Sequence, residues 1–148
     1  MANAMMTGAI RITVPQSLSI VLDGYVPAGI TAKDIVLHLL ALPDISAGLG
    51  VGKVFEFTGS AARALSIDER TTLTNMCAER GGFTGLFAPD EKTVDFLCER
   101  RGVAFTLERW MRSDDSAGYA ATITLDCAAL TPMVARPGDP GNGVALDA

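Results

Sequence analysis

Residues 52–90 read GKVFEFTGSAARALSIDERTTLTNMCAERGGFTGLFAPD. This stretch decides the fold, because it holds a short apolar strand, a capped helix, a glycine stop and a second short strand. Val54-Phe55-Glu56-Phe57 is the first strand. Ser66 with Glu69 three residues on is a capping box, opening a helix expected to reach about Arg80. Gly81-Gly82 closes that helix, since glycine takes the left-handed conformation at no steric cost. Residues 84–88 read as the second strand. Pro89-Asp90 opens a further helix to Arg101, with Gly102 as its stop. Strands alternating with helices predict a layered α/β/α domain with a largely parallel sheet.

Upstream, Thr31 with Asp34 is a second helix start. Ile35, Val36, Leu37, Leu39 and Leu40 then cover most of a helix circumference, so that helix should be well buried and should end at Pro43. Residues 10–14 (IRITV) and 18–22 (LSIVL) alternate as strands, and the intervening Pro15 suits a hairpin at a sheet edge. A short helix is expected over residues 59–65. Downstream, residues 103–106 read as a brief strand and residues 120–125 as the last clear one. Residues 136–143 (RPGDPGNG) read as a linker. The N-terminal MANAMM reads as an added or disordered leader, with the natural start near Met6. Three segments follow: leader 1–7, one domain 8–135 and a linker-like tail 136–148.

The 148 residues suffice for one domain with a core, and 49% hydrophobic against 20% charged residues is a globular composition. A net charge of -5 gives no electrostatic reason to bind nucleic acid or an anionic membrane. No apolar run approaches the roughly 20 residues that span a bilayer, and no basic-then-apolar leader marks export. Cys77, Cys98 and Cys127 are odd in number and widely spaced, which fits buried thiols in a reducing cytoplasm.

The glycine-rich loop at residues 46–53 fails as a phosphate cradle. A P-loop needs glycine where Ala47 stands and Ser or Thr where Val54 stands; the dinucleotide pattern needs a helix where a strand follows. The single histidine, His38, lies in the apolar helix and reads as structural. The cysteines form no C-x-x-C pair, and packing is their simplest role. In the helix opened by Ser66, about 100° per residue puts Leu73, Met76 and Cys77 on one face and Thr72, Asn75 and Glu79 on the other. A solvated polar face accounts for the second set. Yet a carboxylate can move a proton and an amide can orient a ligand, so Asn75 and Glu79 are the candidate site residues.

Several strings in one register resemble the aconitase superfamily, nearest to the 3-isopropylmalate dehydratase large subunit and its homoaconitase relatives. They are GITAKDI (29–35), GKVFEF (52–57), RALS (63–66), Asn75-Met76 with Glu79, APDE (88–91) and the tail around Gly138-Asp139-Pro140. The likeness covers the chain from about Gly8. It implies an aconitase-like domain of a hydro-lyase that dehydrates and rehydrates a small hydroxy-acid at a [4Fe-4S] cluster. The partners it implies are the remaining large-subunit domains and a small subunit, with no nucleic acid and no membrane. The family's cluster cysteines lie in a later domain, so no cluster is expected on this chain alone, and no activity. Carried over by motif, Asn75 would orient the cluster or its ligand, and Glu79 would contact the hydroxyl or water at the open iron. A non-catalytic binding or scaffold module derived from the same domain is the competing expectation.

Overall fold

The computed structural model describes residues 2–146; residue 1 of the expected leader and residues 147–148 of the expected tail lie outside them. In chain order the elements are α1 (Ala2–Thr7), β1 (Ser17–Asp23), α2 (Ala32–Ala41), α3 (Pro43–Ser46), β2 (Val54–Thr58), α4 (Ser60–Ala64) and α5 (Ile67–Met76). A 3-10 turn over Cys77–Arg80 leads to β3 (Thr84–Phe87), α6 (Glu91–Arg101), β4 (Ala121–Asp126), β5 (Met133–Ala135) and β6 (Gly143–Ala145). Four strands form one sheet in the order β3-β2-β1-β4. Every pairing in it is parallel. The expected α/β fold with a parallel sheet is therefore present.

All three helix starts foreseen from capping residues occur. Thr31, Ser66 and Asp90 each cap a helix through a reciprocal capping box. Gly81 ends the α5 region in the left-handed conformation at φ 73°. At Gly59, φ is 106° and a Cβ would collide with the Leu22 backbone, so only glycine lets α4 leave β2 this close to β1.

The register puts Leu18, Ile20, Leu22, Phe55, Phe57, Gly85, Phe87, Ile123 and Leu125 on one sheet face. Against this face pack Ile35, Val36 and Leu39 of α2 and Leu73 and Met76 of α5. The rings of Phe57 and Phe87 stack at 5.0 Å. Gly85 is where α5 comes closest: a Cβ there would lie 2.7 Å from Thr74 Cα and 2.8 Å from Cys77 Sγ. The opposite face carries Ser19, Glu56, Thr122 and Thr124, and the Ser113 hydroxyl reaches Glu56 Oε1 at 2.6 Å.

Four local expectations are corrected. Residues 10–14 form no strand, and Ile10, Ile12 and Val14 are exposed. Their intended partner β1 is not an edge strand; β2 and β4 occupy both of its sides, leaving no free edge for a hairpin. Residues 103–106 also form no strand. The segment read as a linker is instead the turn of an antiparallel β5–β6 hairpin. That hairpin is tied to α2, because the Met133 N–H donates to Asp34 Oδ1 at 2.7 Å. Finally, Cys98 is exposed, since no residue of α6 is buried. The leader contains the helix α1, whose residues 5–7 are exposed.

Candidate functional site

Asn75 lies in the last turn of α5 and Glu79 in the 3-10 turn that follows. The helix was expected to stay α-helical to Arg80, but it tightens after Met76. A 3-10 turn advances about 120° per residue against about 100° in an α-helix, so Glu79 is carried further round than an i, i+4 partner would be. Both side chains are exposed, while Leu73, Met76 and Cys77 are buried. The apolar face is therefore as expected, whereas of the polar set Thr72 is half-buried and Glu79 lies beyond the α-helix, turned away from the line of Asn75.

What places Glu79 is packing behind it. Cys77, two residues earlier, is fully buried and its Sγ–H donates to the Leu73 carbonyl at 3.3 Å. After it, the Gly82 N–H donates to the Cys77 carbonyl at 3.1 Å, and the Gly81 carbonyl accepts the Gly52 N–H at 2.7 Å. The glycine-rich loop before β2 thus leans on the turn that presents Glu79. At this end of the sheet the Phe83 N–H also bonds the Lys53 carbonyl at 2.8 Å. Asn75 and Glu79 consequently lie toward the N-terminal ends of β2 and β3.

Carboxylates toward the N-terminal end of α5, away from Glu79, are committed. Glu69 closes the Ser66 cap, and the Ser66 backbone N–H and hydroxyl hold its pKa below the usual value. Asp90 takes a two-pronged contact from Arg70, with Nη1–Oδ1 at 2.9 Å and Nη2–Oδ2 at 2.6 Å. That contact, above all the hydrogen bond from Arg70, lowers the Asp90 pKa. Arg70 is 5% exposed and its guanidinium also lies 5.5 Å from the Phe87 ring. Sequence reading passed over Arg70, yet it joins α5 to the start of α6. Its position four after Ser66, followed by an Asp-capped helix, was the available clue.

A cleft of about 490 Å³ opens at the opposite, C-terminal end of the sheet, lined by Thr58, Gly59, Arg63, Pro89, Asp90 and Arg112 among others. Such crevices are the usual ligand position in parallel sheets. Asn75 and Glu79 do not line it.

The two buried thiols, Cys77 and Cys127, are not brought together. Burial pushes the Cys77 thiol up to about 12. Burial, with Asp126 and Asp23 nearby, also raises Cys127. Cys77 lies against β3 and Cys127 follows β4, at opposite edges of the sheet. Among the described residues no group of three or more His, Cys, Asp or Glu side chains could hold a metal ion. His38 is half-buried, and burial lowers its pKa.

The model of the aconitase family (aconitate hydratase) matches residues 1–148. The chain belongs to the aconitase family. Three similar relatives are each a "3-isopropylmalate dehydratase large subunit". That of Roseiflexus castenholzii is 39% identical over 99% of this chain and 32% of its own length. That of Solibacter usitatus is 41% identical over 90% of this chain and 30% of its own length. That of Anaeromyxobacter dehalogenans is 40% identical over 89% of this chain and 29% of its own length. The chain thus spans about 30% of the length of the curated relatives it matches. Among the described residues no helix is long and apolar enough to cross a membrane.

Proposed function

We propose that this chain is one domain of a cytoplasmic hydro-lyase similar to 3-isopropylmalate dehydratase, with a place in leucine biosynthesis, and that it supplies Asn75 and Glu79 to a composite active site. The observation that carries this reading is the state of Glu79. It stands exposed on a turn braced from behind, while Glu69, Asp90 and Asp34 are spent on caps and partners. A carboxylate held in place but left without a structural role can take or give a proton to a bound hydroxy-acid. Asn75, one turn earlier, adds an amide that donates and accepts.

In this reading the [4Fe-4S] cluster belongs to other domains of the large subunit. A small subunit completes the assembly. The substrate is a small hydroxy-acid enclosed between this surface and those parts, and the domain alone is inactive. The experiment is Glu79→Ala in the longer protein. Turnover falls while the variant domain keeps its thermal transition. Undiminished turnover would remove Glu79 from the site.

A further inference from the structure

Arg80, directly after Glu79, ends the 3-10 turn and points at the β5–β6 hairpin. Its Nη1 lies 3.3 Å from Asp139 Oδ2, and its side chain is 18% exposed. The guanidinium lies so close over Gly141 that a Cβ there would overlap Nε, Cζ and Nη2. Asp139 is itself fixed, accepting the Gly141 N–H on Oδ1 at 2.8 Å and the Asn142 N–H on its carbonyl at 3.0 Å. On the other flank of the same turn, the Gly81 carbonyl holds the Gly52 N–H. Arg80 Nε is buried with no hydrogen-bond partner among the described residues. A buried polar atom left unpaired weakens the fold, so this contact is better understood as fixing a position than as adding stability.

We propose that Arg80, Asp139 and Gly141 form a latch by which the C-terminal hairpin positions Glu79. Arg80 is the positioning residue. Side chains one apart on a helix diverge, so it acts through the backbone they share and not by touching the Glu79 carboxylate. The inference rests on the reading of Glu79 as an active-site group. It also accounts for residues 136–143, which hold a catalytic turn in place from about sixty residues further along the chain.

Two variants open the latch by different means. Arg80→Ala removes the guanidinium. Gly141→Ala keeps every charge and displaces the guanidinium by filling its seat; Gly141 has no positive φ, so alanine fits its backbone. Amide hydrogen exchange is followed at Gly81, Gly82 and Gly52, with Ile20 and Phe55 of the sheet as controls. In both variants the three turn amides should exchange roughly two- to fivefold faster, the range for loss of a partly exposed ion pair, with the controls unchanged. In the longer protein both should lower kcat and leave KM unchanged, and Arg80→Lys, which keeps the charge, should recover part of the loss. Unchanged exchange at the turn overturns the latch whatever the activity. Faster exchange with kcat lowered by Glu79→Ala but not by either latch variant overturns the positioning role. Faster exchange with kcat indifferent to Glu79→Ala as well overturns the active-site reading of Glu79 instead.

Discussion

Asp34 and Glu79 are carboxylates on neighbouring parts of one layer, and they have opposite fates. Asp34 is 8% exposed and saturated: Oδ2 accepts the Thr31 N–H at 2.8 Å and its hydroxyl at 2.6 Å, while Oδ1 accepts the Met133 N–H at 2.7 Å. Glu79 is exposed, and its restraint comes from neighbouring residues. Both regions are tied to the same C-terminal hairpin, one through a buried carboxylate and the other through Arg80. A carboxylate that builds structure spends its lone pairs. One that does chemistry must keep them, so its position has to be set by something else.

The largest expected effect tests the free member of the pair. Glu79→Ala should lower kcat of the longer protein by about 10²- to 10⁴-fold, the span for loss of a positioned acid or base. Stability should change by less than about 0.5 kcal/mol, as for other surface substitutions. Thermal unfolding beside steady-state kinetics checks both. A large drop in stability would place Glu79 with Asp34 among the structural groups and break the contrast.

Next comes the committed pair Arg70–Asp90. Asp90→Ala leaves a buried guanidinium without its counter-charge and removes the α6 cap. Breaking a buried pair from one side costs about 3–5 kcal/mol; because Asp90 is 23% exposed, the lower end applies. Denaturant unfolding measures it. A loss under about 1 kcal/mol would mean that water replaces Asp90, and that the link between α5 and α6 is not structural.

Asp34→Ala should cost about 2 kcal/mol, combining a lost N-cap partner with an unsatisfied Met133 N–H. Its signature is local: the Met133 amide should exchange faster, and the β5–β6 hairpin should loosen from α2. The comparison sharpens if the exchange of Gly81 and Gly82 also rises, because the hairpin would then transmit from the structural carboxylate to the catalytic turn.

How much of this was legible depended on whether the cause was local. Thr31, Ser66 and Asp90 announce their helices because a cap is satisfied within three residues, and Gly81 and Gly102 end theirs for equally local reasons. The exposure of Asn75 and Glu79 follows from helical spacing. The change to a 3-10 turn does not, because it is set by Gly82 and the loop before β2. Residues 10–14 alternate as a strand should, but pairing needs a free edge, and strand order is a property of the whole sheet. Residues 136–143 carry turn chemistry that serves a linker or a hairpin equally; Met133 docking on Asp34 across 99 residues decides between them. Arg70 and Arg80 drew no notice because a charged side chain is expected outside, yet Arg70 is buried and Arg80 half-buried, each against a partner far along the chain.

The smallest effect concerns acid. Asp34 is buried, which by itself raises a carboxyl pKa, but the hydrogen bonds from Thr31 and Met133 outweigh burial and the net direction is down. Asp90 and Glu69 are lowered as well. A depressed folded pKa means that the unfolded chain binds protons first. The stability these groups contribute is therefore full above the ordinary carboxylate values of 3.8 and 4.5 and is lost as pH falls through the folded ones. His38 is lowered from 6.5 by burial alone, so its share is lost earlier, as pH falls below 6.5 and the unfolded imidazole takes up a proton that the folded one resists. Acid titration of stability should show a shallow decline beginning near 6.5 and a steeper one beginning near 4. His38→Gln should flatten the first and leave the second. Persistence of the shallow decline in His38→Gln would assign it to another group and leave only the carboxylates of the structural class to account for acid sensitivity.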